Sequence, residues 1–285
     1  MRLSGRGALL ARLDLVRGRE YPYAECAYCR SLFCRPMPDD AALRRMYGAH
    51  YESAFLADPD PGGGDSSSVG RWLARLGRGT FLDYGCGSGA VLELGARAGW
   101  TAMGVEFDED LARRVTARTG LPVVAEAASH GLPLADVLHL GDVIEHLTRL
   151  PEQMGRILER LRPGGVLLAQ GPLEANPTLF LLAVRAGRRL RPGRRTEMPP
   201  YHVILATARA QRGFFRRQGL DELEYRVSET AWPAPERLAA ADLARPRAVG
   251  LFVLRRLSRL ASALNPGRSG NRYFYAGRRP LSPAR

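Results

Sequence analysis

Thr80-Phe81-Leu82-Asp83-Tyr84-Gly85-Cys86-Gly87-Ser88-Gly89 is the stretch from which the rest of the chain can be read. A short apolar run closes on an acid, three glycines follow at alternate positions, and Ala90-Val91-Leu92-Glu93-Leu94 then opens as a helix. Strand, glycine turn and helix together let backbone approach a ligand closely and point helix N–H groups at it. Glycines after a strand are common in α/β proteins, so the turn alone says little. The next segment adds weight. Trp100-Thr101-Ala102-Met103-Gly104-Val105-Glu106 supplies a second short strand ending on an acid. Roughly twenty residues is the distance at which nucleotide-binding sheets place an acid for ribose hydroxyls.

An acid, then glycines at 85, 87 and 89, then Glu106 resembles the first two motifs of class I S-adenosylmethionine-dependent methyltransferases, from about Phe81 onward. A nicotinamide-type Gly-x-Gly-x-x-Gly does not fit this spacing. The resemblance implies an α/β, Rossmann-like, seven-stranded and mostly parallel sheet with an antiparallel last strand and helices on both faces. It also implies S-adenosylmethionine as cofactor. Backbone at Gly85, Gly87 and Gly89 would contact the methionine portion, with Asp83 beneath the turn tying the loop or the donor's amino group. Glu106 would take the ribose hydroxyls, and Tyr84, Cys86, Phe107, Gly141 and Asp142 would complete the cofactor site.

The remaining pattern follows the same plan. Residues 107–119 read as a helix and 121–125 as a third strand. Glu126 is displaced from where the family offers an acid or amide to the adenine amine, which leaves adenine to backbone and packing. Asp136-Val137-Leu138-His139-Leu140 is the fourth strand, and Gly141-Asp142-Val143-Ile144-Glu145-His146-Leu147 after it resembles the segment that turns over the methyl donor. Loops at strand C-termini line the site in open α/β sheets. A helix over 150–161, the turn Arg162-Pro163-Gly164-Gly165 and a strand over 166–170 come next. The chain then has a long excursion at 171–202, a helix at 211–218 and a strand at 223–227. A helical insertion at 236–264 and the last strand, 272–276, complete it. In the insertion Val249, Val253, Leu257, Leu260 and Leu264 share one helical face, expected to pack inward or to meet a membrane, while Arg255, Arg256 and Arg259 point away. The organisation read from the sequence is a module at 1–56, a turn-rich linker at 57–70 and a methyltransferase domain at 71–285 with insertions at 171–202 and 236–264.

The N-terminal module contains Cys26-Ala27-Tyr28-Cys29, with Cys34 close behind. A Cys-x-x-Cys knuckle is half of a tetrahedral zinc site. The segment resembles the ribbon that heads many bacterial methyltransferases, continued by Pro36-Met37-Pro38 and by Tyr47 and Tyr51. No Cys-x-x-Cys precedes Cys26, so the ribbon is read as degenerate, with Cys34 or His50 as irregularly spaced substitutes.

Composition sets outer limits. The chain has 285 residues, enough for a real core, and no run of about 18 apolar residues that could span a bilayer. The first twenty residues lack the apolar segment of a secretory signal, and the expected location is cytoplasmic or peripheral to a membrane. All 42 basic residues are Arg, which together with abundant Ala, Gly and Pro looks like coding bias. The net charge of +13 is nevertheless uneven: residues 175–196 hold six Arg and no acid, and 243–285 hold ten Arg and no acid. No RNA-binding module accompanies that charge, and no sequence-specific nucleic acid is expected.

Methyl transfer from a sulfonium is an in-line displacement in which the protein mainly positions the reactants. For a hydroxyl acceptor a base helps, and His146, His202 and Glu145 are the expected catalytic residues. The simpler reading has no metal. In an alternative, Asp142, Glu145, His146 and His202 resemble the Glu-His-plus-distant-His set of ubiquinone-pathway and small-RNA 2′-O-methyltransferases and would hold a divalent cation. The expected function is O-methylation of a small-molecule or glycan-type acceptor, an anionic one included, in secondary-metabolite or surface-polysaccharide synthesis. The alternatives are RNA 2′-O-methylation, a lipid-linked acceptor reached through membrane contact at 249–264, and a non-catalytic donor-binding scaffold. No Asn/Asp-Pro-Pro-Tyr/Phe follows the fourth strand, which counts against methylation of base amines.

Overall fold

In a computed structural model, residues 10–14, 19–39, 41–43, 66–190, 202–230 and 238–281 are described. Tyr47, His50, Tyr51, linker residues 57–65 and the stretch 191–201, with Arg191, Arg194, Arg195 and Tyr201, lie outside them.

The strands β4 (Thr80–Tyr84), β5 (Thr101–Glu106), β6 (Val123–Ala125), β7 (Ala135–Gly141), β8 (Leu161–Pro172), β10 (Asp221–Ser228) and β11 (Arg272–Arg278) form one sheet in the order β10-β11-β8-β7-β4-β5-β6. β4 pairs in parallel with β5 and β7, β5 with β6, and β7 with β8; β11 alone runs antiparallel to its neighbours β8 and β10. This is the expected α/β sheet with its reversed last strand. The Arg162–Gly165 turn falls inside the β8 range, as a break in register with β7, and Gly164 there takes φ +78°.

Four successive residues of β4 are buried because parallel strands are covered on both faces. Alternate side chains go to opposite layers. Phe81 packs with Val69, Trp72 and Leu73 of α1 (Ser66–Leu76), Leu92 of α2 (Ala90–Arg97) and Val115 of α3 (Glu109–Thr119). Leu82 and Tyr84 face Met154 and Ile157 of α4 (Leu150–Glu159) and Phe214 and Phe215 of α6 (Ala208–Arg217). The ring of Phe215 stacks on Tyr275 of β11 at 3.9 Å between centroids. α1 starts at Ser66, inside the stretch read as linker.

A second sheet joins the N-terminal strands β1 (Leu10–Asp14), β2 (Arg19–Glu25) and β3 (Leu32–Cys34) to β9 (Ile204–Leu205), which lies just after the excursion. Its core holds Tyr21, Tyr23, Leu32, Val203 and Leu205. Thr207 caps α6, its N–H donates to Ser31 Oγ, and its hydroxyl donates to Cys29 O. The N-terminal residues thus share a sheet with the segment that carries His202. In the knuckle, hydrogen bonds from Cys29 and Tyr28 favour the Cys26 thiolate and hold its pKa below the usual thiol value despite burial. Cys34 Sγ lies 3.5 Å from Pro36 O instead. Among the described residues no set of three metal-type ligands includes a cysteine.

The excursion forms α5 (Leu179–Leu190), and the insertion forms α7 (Pro246–Leu264). The orientation of α7 rules out one of the two sequence expectations, that its apolar face packs inward. Arg255, Ser258 and Ser262 are its buried residues, while Val253, Leu257, Leu260 and Leu264 are exposed. The Arg255 guanidinium lies 3.5 Å from the ring centre of Phe180 on α5 and pairs with Glu229 just after β10; Ser258 Oγ also donates to Glu229. Hydrophobic patterning selects a face but not which way it looks, and a buried acid at 229 decides the matter in favour of arginine. No helix among the described residues is long and apolar enough to cross a membrane.

Glu229→Ala strands a buried guanidinium, which costs about 3 kcal/mol. Thermal unfolding should show a clear fall in Tm, and Arg255→Met combined with Glu229→Leu should recover most of it.

Candidate active site

The chain leaves β4 toward β5 and β6 on one side and returns through β7 to β8 on the other, so the C-terminal ends of β4 and β7 flank the point where strand order reverses. A crevice forms there in open α/β sheets. The glycine turn occupies it. Gly85, Gly87 and Gly89 have φ of +76°, +51° and +80°, values an L side chain tolerates poorly. A Cβ on Gly85 would stand 2.5 Å from Val143 Cγ2.

The turn is tied to the end of β5. The N–H groups of Gly85 and Cys86 both donate to Val105 O, at 2.8 and 3.0 Å. Gly87 N–H donates to Glu106 Oε2 at 2.9 Å and Phe107 N–H to Glu106 Oε1 at 2.7 Å. Burial pushes the Glu106 carboxyl up, against the hydrogen bonds from Gly87, Phe107 and Asp108. The residue read as a ribose partner is therefore also the brace of the glycine turn.

Asp83 lies below, 2% exposed, and its carboxylate faces His139 rather than the loop. β4 and β7 set these two residues opposite each other in register. His139 Nδ1 lies 2.7 Å from Asp83 Oδ1, and Gln170 Nε2 lies 3.3 Å from His139 Nε2. One proton assignment satisfies all three: Nδ1–H donates to the carboxylate and Nε2 accepts from the amide. His139 and Gln170 were not among the residues read from the sequence. A polar residue among apolar ones near the C-terminal end of each of two adjacent strands was the available signal.

Cys86 turns its thiol into the core with Leu92 and Val123, and burial pushes the thiol up, so it offers the site only backbone. Tyr84 is buried and donates to Glu126 Oε1 at 3.0 Å, which holds Glu126 at the end of β6. Phe107 is half-exposed beside Glu106. Gly141 ends β7, where a Cβ would meet the His139 ring at 2.8 Å.

Asp142, at φ +53°, does not join Glu145. Arg272 Nη2 on β11 donates to both its oxygens at 2.7 and 2.8 Å. The cluster that forms is Glu145, His146 and His202, whose ligand-type atoms lie within 4.8 Å of one another. The two imidazoles meet edge-on at 4.8 Å between centroids. Glu145 is 5% exposed; burial and the nearby Asp142 push its carboxyl up to about 8, with His202 pulling the other way. Among the described residues Glu145 Oε1 has no hydrogen-bond partner, and His146 Nε2 stands 4.0 Å from it.

Three contacts bring distant residues to this place. Val203 N–H donates to Glu145 O, Tyr23 OH donates to His202 O at 2.6 Å, and His202 Nδ1 lies 3.2 Å from Glu174 Oε1. Tyr23, Glu174 and Arg272 were not legible as site residues, since only tertiary contacts between segments distant in the chain deliver them. Glu145 and Tyr273 help to line a cavity of about 1070 Å³, whose walls also include Tyr28, Arg30, Arg209, Arg216, Arg217 and Arg268.

With this geometry in hand, the comparisons with known proteins decide the family. Residues 55–224 match the model described as a methyltransferase domain. The chain belongs to that family. Its cofactor is S-adenosylmethionine. A relative from Mycolicibacterium smegmatis, named as a probable S-adenosylmethionine-dependent methyltransferase, is 30% identical over 179 residues, covering 56% of this chain and 65% of its own. A ubiquinone biosynthesis O-methyltransferase from Dinoroseobacter shibae is 32% identical over 113 residues, 36% of this chain and 45% of its own. The chain thus spans less than two-thirds of either relative. A solved complex of the Haloferax volcanii Trm112 methyltransferase activator with a methyltransferase matches 85% of this chain and 95% of that one, at 17% identity and a TM-score of 0.50. At that identity the likeness shows the fold.

Removal of the Glu106 carboxylate should loosen the turn and the donor together. Glu106→Ala is expected to weaken S-adenosylmethionine binding about tenfold to a hundredfold by calorimetry, the scale of lost hydrogen bonds to a charged group.

Proposed function

We propose that this methyltransferase transfers the donor methyl to a hydroxyl of a small-molecule or glycan-type acceptor held in the cavity beside Glu145. The glycine turn, Glu106 and the ends of β4 and β7 form the donor seat. When bound, S-adenosylmethionine supplies a sulfonium methyl, whose carbon–sulfur bond breaks as the bond to the acceptor oxygen forms. The observation that carries the reading is the Glu145–His146–His202 cluster at the C-terminal edge of the sheet.

The chain's own residues would do the following. His202, with Nδ1 beside Glu174, takes the acceptor proton at Nε2. His146 packs edge-on against that imidazole and fixes its orientation. Glu145, raised toward neutrality by burial, accepts a hydrogen bond as carboxylate or donates one as acid. The arginines that line the cavity favour an acceptor bearing a phosphate or carboxylate. Kinship with an O-methyltransferase of ubiquinone biosynthesis agrees with oxygen as the receiving atom.

A second reading has support of its own. One carboxylate and two imidazoles within 4.8 Å, with a buried carboxylate oxygen that no described residue hydrogen-bonds, fit a divalent cation. Glu145, His146 and His202 would hold it, and it would acidify the acceptor hydroxyl. Asp142 is outside that set because Arg272 engages it.

Release of S-adenosylhomocysteine during incubation with a panel of phenolics and sugar phosphates is the measurement. His202→Ala and Glu145→Gln should each lower turnover about a hundredfold or more while donor affinity stays the same. A chain that binds the donor and turns over with no member of the panel is a scaffold instead. Exhaustive chelation separates the two readings: loss of activity restored by Mg²⁺ or Mn²⁺ selects the cation, and full activity selects the imidazole base alone.

A further inference from the structure

Three buried polar atoms that no described residue hydrogen-bonds belong to residues lining one cavity: Glu145 Oε1, Gln211 Nε2 and the Tyr273 hydroxyl. Gln211 is 6% and Tyr273 3% exposed, so bulk water does not serve them either. A buried polar group left without a partner costs about 1–3 kcal/mol, and folded proteins keep few of them. Two of them on the cavity that Glu145 also lines point to a ligand that completes the set.

The backbone brings Tyr273 toward Glu145. Gly171 stands in register with Tyr273 on the neighbouring strand, and a Cβ there would lie 3.2 Å from the Tyr273 hydroxyl and 3.3 Å from Glu145 Oε2. Glycine at 171 leaves room for the phenol and the carboxylate to converge on that spot. The Tyr273 ring packs against Phe215, 5.8 Å away between centroids, and against Tyr225 at 6.5 Å, whose own hydroxyl donates to Ala208 O. Gln211 lies one turn before Phe215 on α6, which puts both side chains on the same face of that helix. Burial, with the Glu145 charge second, holds the Tyr273 phenol well above its ordinary pKa, so it stays protonated and able to donate.

We propose that Tyr273 and Gln211 are acceptor-binding residues, and that the acceptor they hold is a polyhydroxylated molecule of the sugar-phosphate type. The inference rests on the acceptor reading of the cavity given above and deepens it. A phenol hydroxyl, an amide and the Glu145 carboxyl offer three points of attachment. A phenolic acceptor brings one hydroxyl or two on a flat ring and leaves part of this set unmade. The hydroxyls of a sugar match all three, and its phosphate suits the arginines of the same cavity. A site that hydrogen-bonds substrate hydroxyls also rejects analogues lacking them, since its buried groups then go unpaired.

Calorimetric titration with a panel of hexose monophosphates, in the presence of S-adenosylhomocysteine, tests the assignment, with inorganic phosphate and catechol as controls. A hexose phosphate should saturate the protein at least about tenfold more tightly than either control. Tyr273→Phe and Gln211→Leu should each weaken that binding about tenfold, the scale of one lost hydrogen bond. The Tm of the empty protein should hold or rise in both variants, because each change removes a buried polar group that had no partner. A group already satisfied inside the fold would lower Tm when removed. A fall in Tm, binding untouched by both changes, catechol bound as tightly as the sugar, or no saturable binding of any hexose phosphate overturns the proposal. None of these readouts needs methyl transfer. Variants that behave as expected in a protein that turns over no acceptor sink the reaction and leave the site. Turnover of an acceptor with KM unchanged in both variants sinks the site and leaves the reaction.

Discussion

The fold turns on the junction between the glycine turn and the end of β5. Two N–H groups of the turn converge on Val105 O, and a third donates to the Glu106 carboxylate. A loop bent this sharply leaves polar groups pointing away from its own helix, and the neighbouring strand satisfies them. Below it, Asp83, His139 and Gln170 form a chain of polar groups across three adjacent strands. Buried polar groups are tolerated only when each has its partner, so this chain constrains the relative register of β4, β7 and β8. The loops that leave those strands inherit that constraint.

The acceptor side is built differently, from pieces far apart in the chain. Glu145 and His146 come from the β7 loop, while His202 stands at the start of the strand segment that β3 recruits into the N-terminal sheet. Tyr23 holds the carbonyl of His202, and Val203 holds that of Glu145, so the second sheet acts as a bracket that sets one histidine against the other. The N-terminal strands thus have a structural role in the site whatever the state of their thiols. Burial without full pairing leaves Glu145 poised near neutral pH, a property common where protons move.

The two Arg-rich stretches divide their work as well. Arg255 is consumed inside the protein against Glu229 and Phe180, and Arg272 braces Asp142. Other arginines line the cavity or are exposed on α7. A count of charge treats these alike, yet a buried guanidinium and an exposed one do different things.

The strand, turn and helix around the glycines and the acid at the end of β5 were legible from sequence, and the reversed β11 came with the family resemblance. The first of these depend on residues close in the chain: an apolar run, a turn that needs positive φ, a period of two or of 3.6. The partners of Asp83 and Asp142, the meeting of His202 with Glu145 and the outward stripe of α7 were not. Those rest on contacts between residues as far apart as Asp142 and Arg272, or on which of two opposite helix faces finds a buried charge to answer. Local sequence determines what an element is and which of its sides are alike. Only packing decides what each side meets, because the energy of burying Arg255 or exposing Leu257 belongs to the neighbours and not to the helix.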